Sequence, residues 1–129
     1  MKSLTNKDLR QFTEIERWIY HKIDSNIVYT DGLLYVAEVG KAHWLIDTIA
    51  SFLRPDFLEN QQDHRIRNMI FWQLKVSPDK SAVLEARAEA GCDPFISQKI
   101  EFIDFPLTSI DIWTTYDGER WIIYLPREH

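Results

Sequence analysis

The spacing of apolar residues changes near residue 70, and that change constrains the fold more than any other feature of the chain. Upstream, apolar residues recur at three- and four-residue steps, the period of a helix with one buried face. Downstream they recur at every second position, the period of a half-buried strand. Helices packed on one face of an antiparallel sheet would bury both apolar surfaces, so the expected class is α+β. The expected architecture is N-terminal helices, over about 5–69, laid on a C-terminal meander of four or five strands, over about 70–126. The 129 residues suit one domain, 1–129, and are short for two.

In the helical part, Thr5 with Asp8 and Thr13 with Glu16 have the spacing of an N-cap and its third-residue partner. Ile15, Trp18, Ile19 and Ile23 then form an apolar stripe that predicts a helix ending at Ser25-Asn26. Ile27 to Tyr29 look extended. Thr30 has the chemistry of an N-cap, with Asp31 well placed in the following first turn and Gly40 at the helix end. The competing reading pairs 27–30 with 33–38 as a hairpin around Asp31-Gly32. The run LLYVA does not alternate, which favours the helix. Trp44, Leu45, Thr48, Ile49 and Phe52 define a further helix that Pro55 stops. Residues 56–69 are polar and read as a loop or a frayed helix.

Trp72, Leu74 and Val76 alternate with Phe71, Gln73 and Lys75. Ser77-Pro78-Asp79-Lys80 is turn chemistry, and 82–88 completes a hairpin. Further strands are expected at 100–103, 110–114 and 121–125, with turns at Gly91 to Pro94 and at Asp117-Gly118. Phe71, Trp113, Ile122 and Tyr124 fall opposite the main apolar phase. Phe71, Trp113 and Tyr124 are therefore candidate interface residues, since partly buried aromatics suit protein contacts.

Fifteen basic against twenty acidic residues leave a net charge of −5, with no excess of basic residues in either half. Phosphate neutralisation drives nonspecific nucleic-acid binding, so nucleic acid is not an expected partner. His64, Arg65 and Arg67 form the one basic cluster, too small to change that. Cys92 is the only cysteine, which excludes an intrachain disulfide and a cysteine-based zinc site. The start of the chain lacks the apolar core of a secretory signal, and no apolar run approaches the length of a membrane span. A cytoplasmic protein without membrane attachment is expected. The glycines form no phosphate-binding loop, and no cofactor is expected.

Two groups of residues carry candidate chemistry. Asp31 orienting His21 would leave the other imidazole nitrogen as a base, and both are candidate catalytic residues. The plainer account makes Asp31 a helix cap and His21 a structural hydrogen-bond donor. His43 and Asp47 share a helix face, but a metal needs three or four ligands, and no metal site is expected. Tyr29, Trp44 and Asp47 are candidate ligand-binding residues beside His21.

The segments Trp18-Ile19-Tyr20-His21, Tyr29 to Glu38 and Trp44 to Ala50, with Phe71 to Val76 and Ile103 to Leu107, resemble an uncharacterised bacterial family that also occurs on plasmids and near phage genes. The resemblance spans about Leu9 to Pro126. Family members often carry Trp-Tyr-x-His where this chain has Trp18-Ile19-Tyr20-His21, and many carry Tyr-Trp-Leu where it has His43-Trp44-Leu45. It implies no activity. The leading expectation is a small non-catalytic interaction or accessory protein that self-associates, with a homodimer as one form. The alternatives are a small enzyme or ligand-binding protein with a pocket near His21 and Asp31, and an acidic inhibitor that mimics nucleic acid.

Overall fold

In the structure, a computed structural model, residues 4–5, 7, 18–22, 26–59, 61, 64–89, 91–101 and 103–129 are described. The expected caps at Asp8, Thr13 and Glu16 lie outside them. The first described element is a strand, β1 (Trp18–Tyr20), which corrects the helix expected there. It pairs antiparallel with β2 (Ile27–Thr30), in the register Trp18 to Thr30, Ile19 to Tyr29 and Tyr20 to Val28. Aromatic and β-branched side chains suit this pairing better than a helix interior.

Thr30 ends β2 and caps α1 (Asp31–Val39), as its hydroxyl predicts. The Leu33 amide donates to Thr30 Oγ1 at 3.4 Å. Leu33, Val36 and Ala37 supply the buried face, and the Gly40 amide closes the helix on Val36 O at 2.9 Å. The hairpin reading of 27–38 is thereby excluded. Gly40 is not left-handed. A Cβ there would sit 2.7 Å from Val36 O and 3.0 Å from Leu4 Cδ2, so close packing requires the glycine. Helix α2 (His43–Phe52) buries Leu45, Ile46, Ile49 and Ala50, and the short α3 (Pro55–Glu59) follows. A 3-10 turn, His64–Arg67, leads into the sheet.

The remaining strands are β3 (Met69–Val76), β4 (Ala82–Arg87), β5 (Ile96–Ile100), β6 (Ser109–Tyr116) and β7 (Trp121–Tyr124). All seven strands form one sheet in the order β1-β2-β7-β6-β3-β4-β5. The expectation of four or five antiparallel strands is corrected on two counts. There are seven strands among the described residues, and β2 runs parallel to β7, which makes the sheet mixed. Strand β5 also starts earlier than expected, at Ile96 rather than Ile100, and Phe102 lies outside the described residues.

One face of the sheet packs against α1 and α2. Ile70, Trp72 and Leu74 point inward from β3, Leu84 from β4, and Ile110 and Ile112 from β6. The Trp72 indole N–H donates to Thr114 Oγ1 at 3.0 Å, so both polar groups are satisfied inside the core. Strands β2 and β7 are buried on both faces. Their outer side chains Val28, Ile122 and Tyr124 form a second, smaller core with Met69 and Trp113.

Candidate functional site

The candidate site residues separate into three places. His21 follows β1 and faces Ile27, since its amide donates to Ile27 O at 2.9 Å. Asp31 lies four residues beyond Ile27, at the other end of β2. At a strand rise of ~3.3 Å per residue that is a separation of about 13 Å. Within reach of His21 is instead Asp47 of α2: Nε2 and Asp47 Oδ1 are 2.8 Å apart. The His21 side chain is 8% exposed and Asp47 is 64% exposed, so the pair joins a buried ring to a carboxylate at the surface.

Tyr29, on the inner side of β2, belongs to the same place. Burial pushes its phenol upward first, and the charges of Asp47 and then Glu38 push it further. This first group is therefore His21, Tyr29, Glu38 and Asp47. It draws on β1, β2, α1 and α2, and it clasps the helices to the first two strands. Trp44 is half-buried on α2 and packs against the main core, while His43 is exposed at the start of that helix. Among the described residues, no three His, Cys, Asp or Glu side chains are grouped to hold a metal ion.

Asp31 belongs to a second group with Glu128, a residue that motif reasoning passed over. The chain's last 3-10 turn, Pro126–Glu128, folds back toward the start of α1. Glu128 is 4% exposed, and its Oε1 accepts from the Thr30 hydroxyl at 2.6 Å and from the Leu125 amide at 2.9 Å. Its Oε2 is buried without a hydrogen-bond partner among the described residues, and so is Asp31 Oδ1. Burial raises the Glu128 carboxyl above its ordinary range. The nearby Asp31 charge adds to that, while the bonds from Thr30 and Leu125 pull the other way. The carboxylate stands at a helix N-terminus, where the backbone dipole favours negative charge. This contact ties the last turn of the chain to the start of α1.

The third group is the outer face. Register places Phe71, Trp113 and Tyr124 side by side across β3, β6 and β7. Phe71 and Trp113 meet edge-on at 5.2 Å between centroids, and the His129 ring stacks on Tyr124 at 5.8 Å. The Tyr124 hydroxyl and His129 Nδ1 are 2.7 Å apart. Tyr124 is only 2% exposed, and burial pushes its phenol up to about 12. The neighbouring polar residues answer one another: Lys75 pairs with Glu85 at 2.9 Å, Arg87 with Glu85 at 3.2 Å, and Gln73 donates to Asp111 at 3.1 Å.

Sequence reasoning missed the most exposed large hydrophobic side chains among the described residues. Trp18 is 47% exposed and Tyr20 is 58% exposed, both on β1. They alternate with the half-buried Ile19 and so point to the same side of the strand. The period-two pattern Trp18-Ile19-Tyr20 was a usable signal, hidden by the helical spacing of Ile15, Trp18 and Ile19.

A family of unknown function (DUF6876) matches residues 3–129. No curated protein matches the chain. Among solved structures, the crystal structure of a protein of unknown function from Enterococcus faecalis is similar in fold, with a TM-score of 0.51 and 18% identity over 86% of this chain and 98% of that one.

Proposed function

The chain belongs to DUF6876, a family of unknown function, and from that premise we propose that it is a non-catalytic interaction domain that pairs with a second copy of itself along β1. The observation that carries this reading is the exposure of Trp18 and Tyr20 on the same side of an edge strand. Among the described residues β1 is hydrogen-bonded on one side only, to β2. A strand edge of this kind is a template for another strand.

The two edges of the sheet differ in chemistry. Strand β5 presents Ser97, Gln98 and Lys99 to solvent, the polar and lysine-bearing surface that discourages pairing. Strand β1 presents tryptophan and tyrosine, which anchor protein interfaces because they bury large area at low entropic cost. Three residues make few ladder hydrogen bonds, so ring contacts between copies supply most of the affinity, and the dimer is a modest one.

The placement of His21 and Asp31 supports a non-catalytic role. The buried His21 ring ties β1 to α2 through Asp47, and the Asp31 carboxylate sits at the far end of β2, so the His21–Asp31 pair that catalysis would need does not form. No helix among the described residues is long and apolar enough to cross a membrane. Hydrogen exchange at low and high protein concentration tests the proposal. Slower exchange of the Trp18 and Tyr20 amides, which face the open edge, at high concentration, with the 96–100 amides unchanged, is the expected result. Equal exchange of the Trp18 and Tyr20 amides at both concentrations overturns it.

A further inference from the structure

At the opposite end of β2 from Asp31 lies an open cleft of about 670 Å³, within the range of ~300–1,000 Å³ typical of small-molecule sites. Its apolar floor comes from four elements: Ile27 at the start of β2, Leu53 after α2, Leu58 in α3 and Trp121 at the start of β7. Tyr116 forms a wall, its ring tilted against Trp121 at 5.4 Å and its hydroxyl donating to Gly118 O at 3.1 Å. Backbone bonds hold the frame. The Trp121 amide donates to Asn26 O at 2.9 Å, and the Tyr116 amide donates to Asn68 O at 2.9 Å. The second bond sets the position of Arg67, which precedes Asn68 and borders the cleft.

Among the described residues, three charged side chains line this apolar space: Arg67, Glu59 and Glu119. Glu119 already pairs with Arg120 at 3.3 Å. Arg67 and Glu59 make no hydrogen bond or ion pair among the described residues, and both are exposed. An anionic ligand would answer Arg67 but meets a chain of net charge −5. A cationic one would answer Glu59 and leave Arg67 facing a like charge. A molecule with both charges on an apolar body meets neither objection.

We propose that this cleft binds a short apolar zwitterion of dipeptide size, its carboxylate on Arg67, its ammonium on Glu59, and its side chains on Leu53, Leu58 and Trp121. Guanidinium is suited to this task because its planar fork matches a carboxylate with two parallel hydrogen bonds. The cleft uses none of the exposed ring surface of Trp18 and Tyr20, so it stands independently of the pairing along β1.

The probe is the dipeptide Leu-Phe, titrated into the full chain and followed by amide and indole chemical shifts. Its N-acetylated, C-amidated and doubly capped forms serve as comparators. The expected result is saturable movement of the Trp121 indole and the Ile27 and Leu58 amides. Capping either end should weaken binding about tenfold, the low end of a charged hydrogen bond. Arg67→Gln should remove the preference for a free carboxylate, and Glu59→Gln the preference for a free ammonium. Both side chains are exposed, so both variants should keep the wild-type spectrum elsewhere. No movement of the cleft signals at millimolar dipeptide overturns the proposal, as does a doubly capped peptide that binds as tightly as the free one.

Discussion

Thr30 and Glu128, 98 residues apart in sequence, share a 2.6 Å hydrogen bond where β2 turns into α1. The Thr30 hydroxyl donates to the carboxylate and accepts from the Leu33 amide, so one side chain caps the helix and anchors the last turn of the chain. Gly32 makes that approach possible. Its place is in the first turn of a helix, where any residue would have the right backbone, but a Cβ would come 2.7 Å from Glu128 Oε1.

Gly32→Ala is therefore expected to destabilise the fold by about 1–3 kcal/mol, the usual cost of overpacking, despite the better helix propensity of alanine. In a Glu128→Ala background the same substitution should cost less, because the atoms it meets are gone. Urea unfolding of the two single variants and the double variant measures this coupling. Additive costs would place the strain elsewhere.

Stability should depend on pH through Glu128 with a sign opposite to that of the surface carboxylates. Its folded-state proton affinity is raised, chiefly by burial. Between its ordinary value of 4.5 and the raised one, the folded state binds more protons than the unfolded state. Its contribution is then full below the ordinary value and is lost as pH rises through the folded one. Asp79, Glu85, Asp104 and Asp117 are all lowered by hydrogen bonds and nearby charges, so their contributions are present above the ordinary values and lost in acid. The test is the difference between wild type and Glu128→Gln. Wild type should lose stability relative to the variant as pH rises from the acid side toward neutral.

The His21–Asp47 clasp predicts an effect on a third residue. The Asp47 charge is the larger of the two that raise the Tyr29 phenol, after burial. Asp47→Asn should lower the Tyr29 titration midpoint more than Glu38→Gln does, as read by tyrosine ring carbon shifts. His21→Ala should cost about 1–3 kcal/mol, since it removes a buried, hydrogen-bonded ring, while the exposed Asp47 is worth less than about 1 kcal/mol.

Much of the sheet was legible because a strand with one buried face writes its period into the sequence. Trp72, Leu74, Ile110 and Ile112 point inward as their alternation predicts, and Phe71, Trp113 and Tyr124 share the other face. Thr30 marked the start of α1 for a local reason, the reach of its hydroxyl to an amide three residues on. Strand β1 was overlooked, since its alternation spans only three residues and the neighbouring apolar residues mimicked a helix. The parallel β2–β7 pair was hidden as well, because β2 is four buried residues with no polar alternation. His21 and Asp47 were both named from the sequence, but their pairing depends on the register of β1 and on how α2 lies over it. Glu128 carried no motif. The only trace of it was a glycine at position 32, in a helix that has no conformational need for one.

The most direct test is sedimentation equilibrium of wild type beside the Trp18→Ser/Tyr20→Ser double variant, over a wide range of protein concentration. Both substitutions replace exposed side chains, so circular dichroism should show the same fold. Wild type should pass from the mass of one chain to the mass of two, and the double variant should stay at one. A wild type that remains a single chain throughout, or a double variant that dimerises as well as wild type, would contradict pairing along β1.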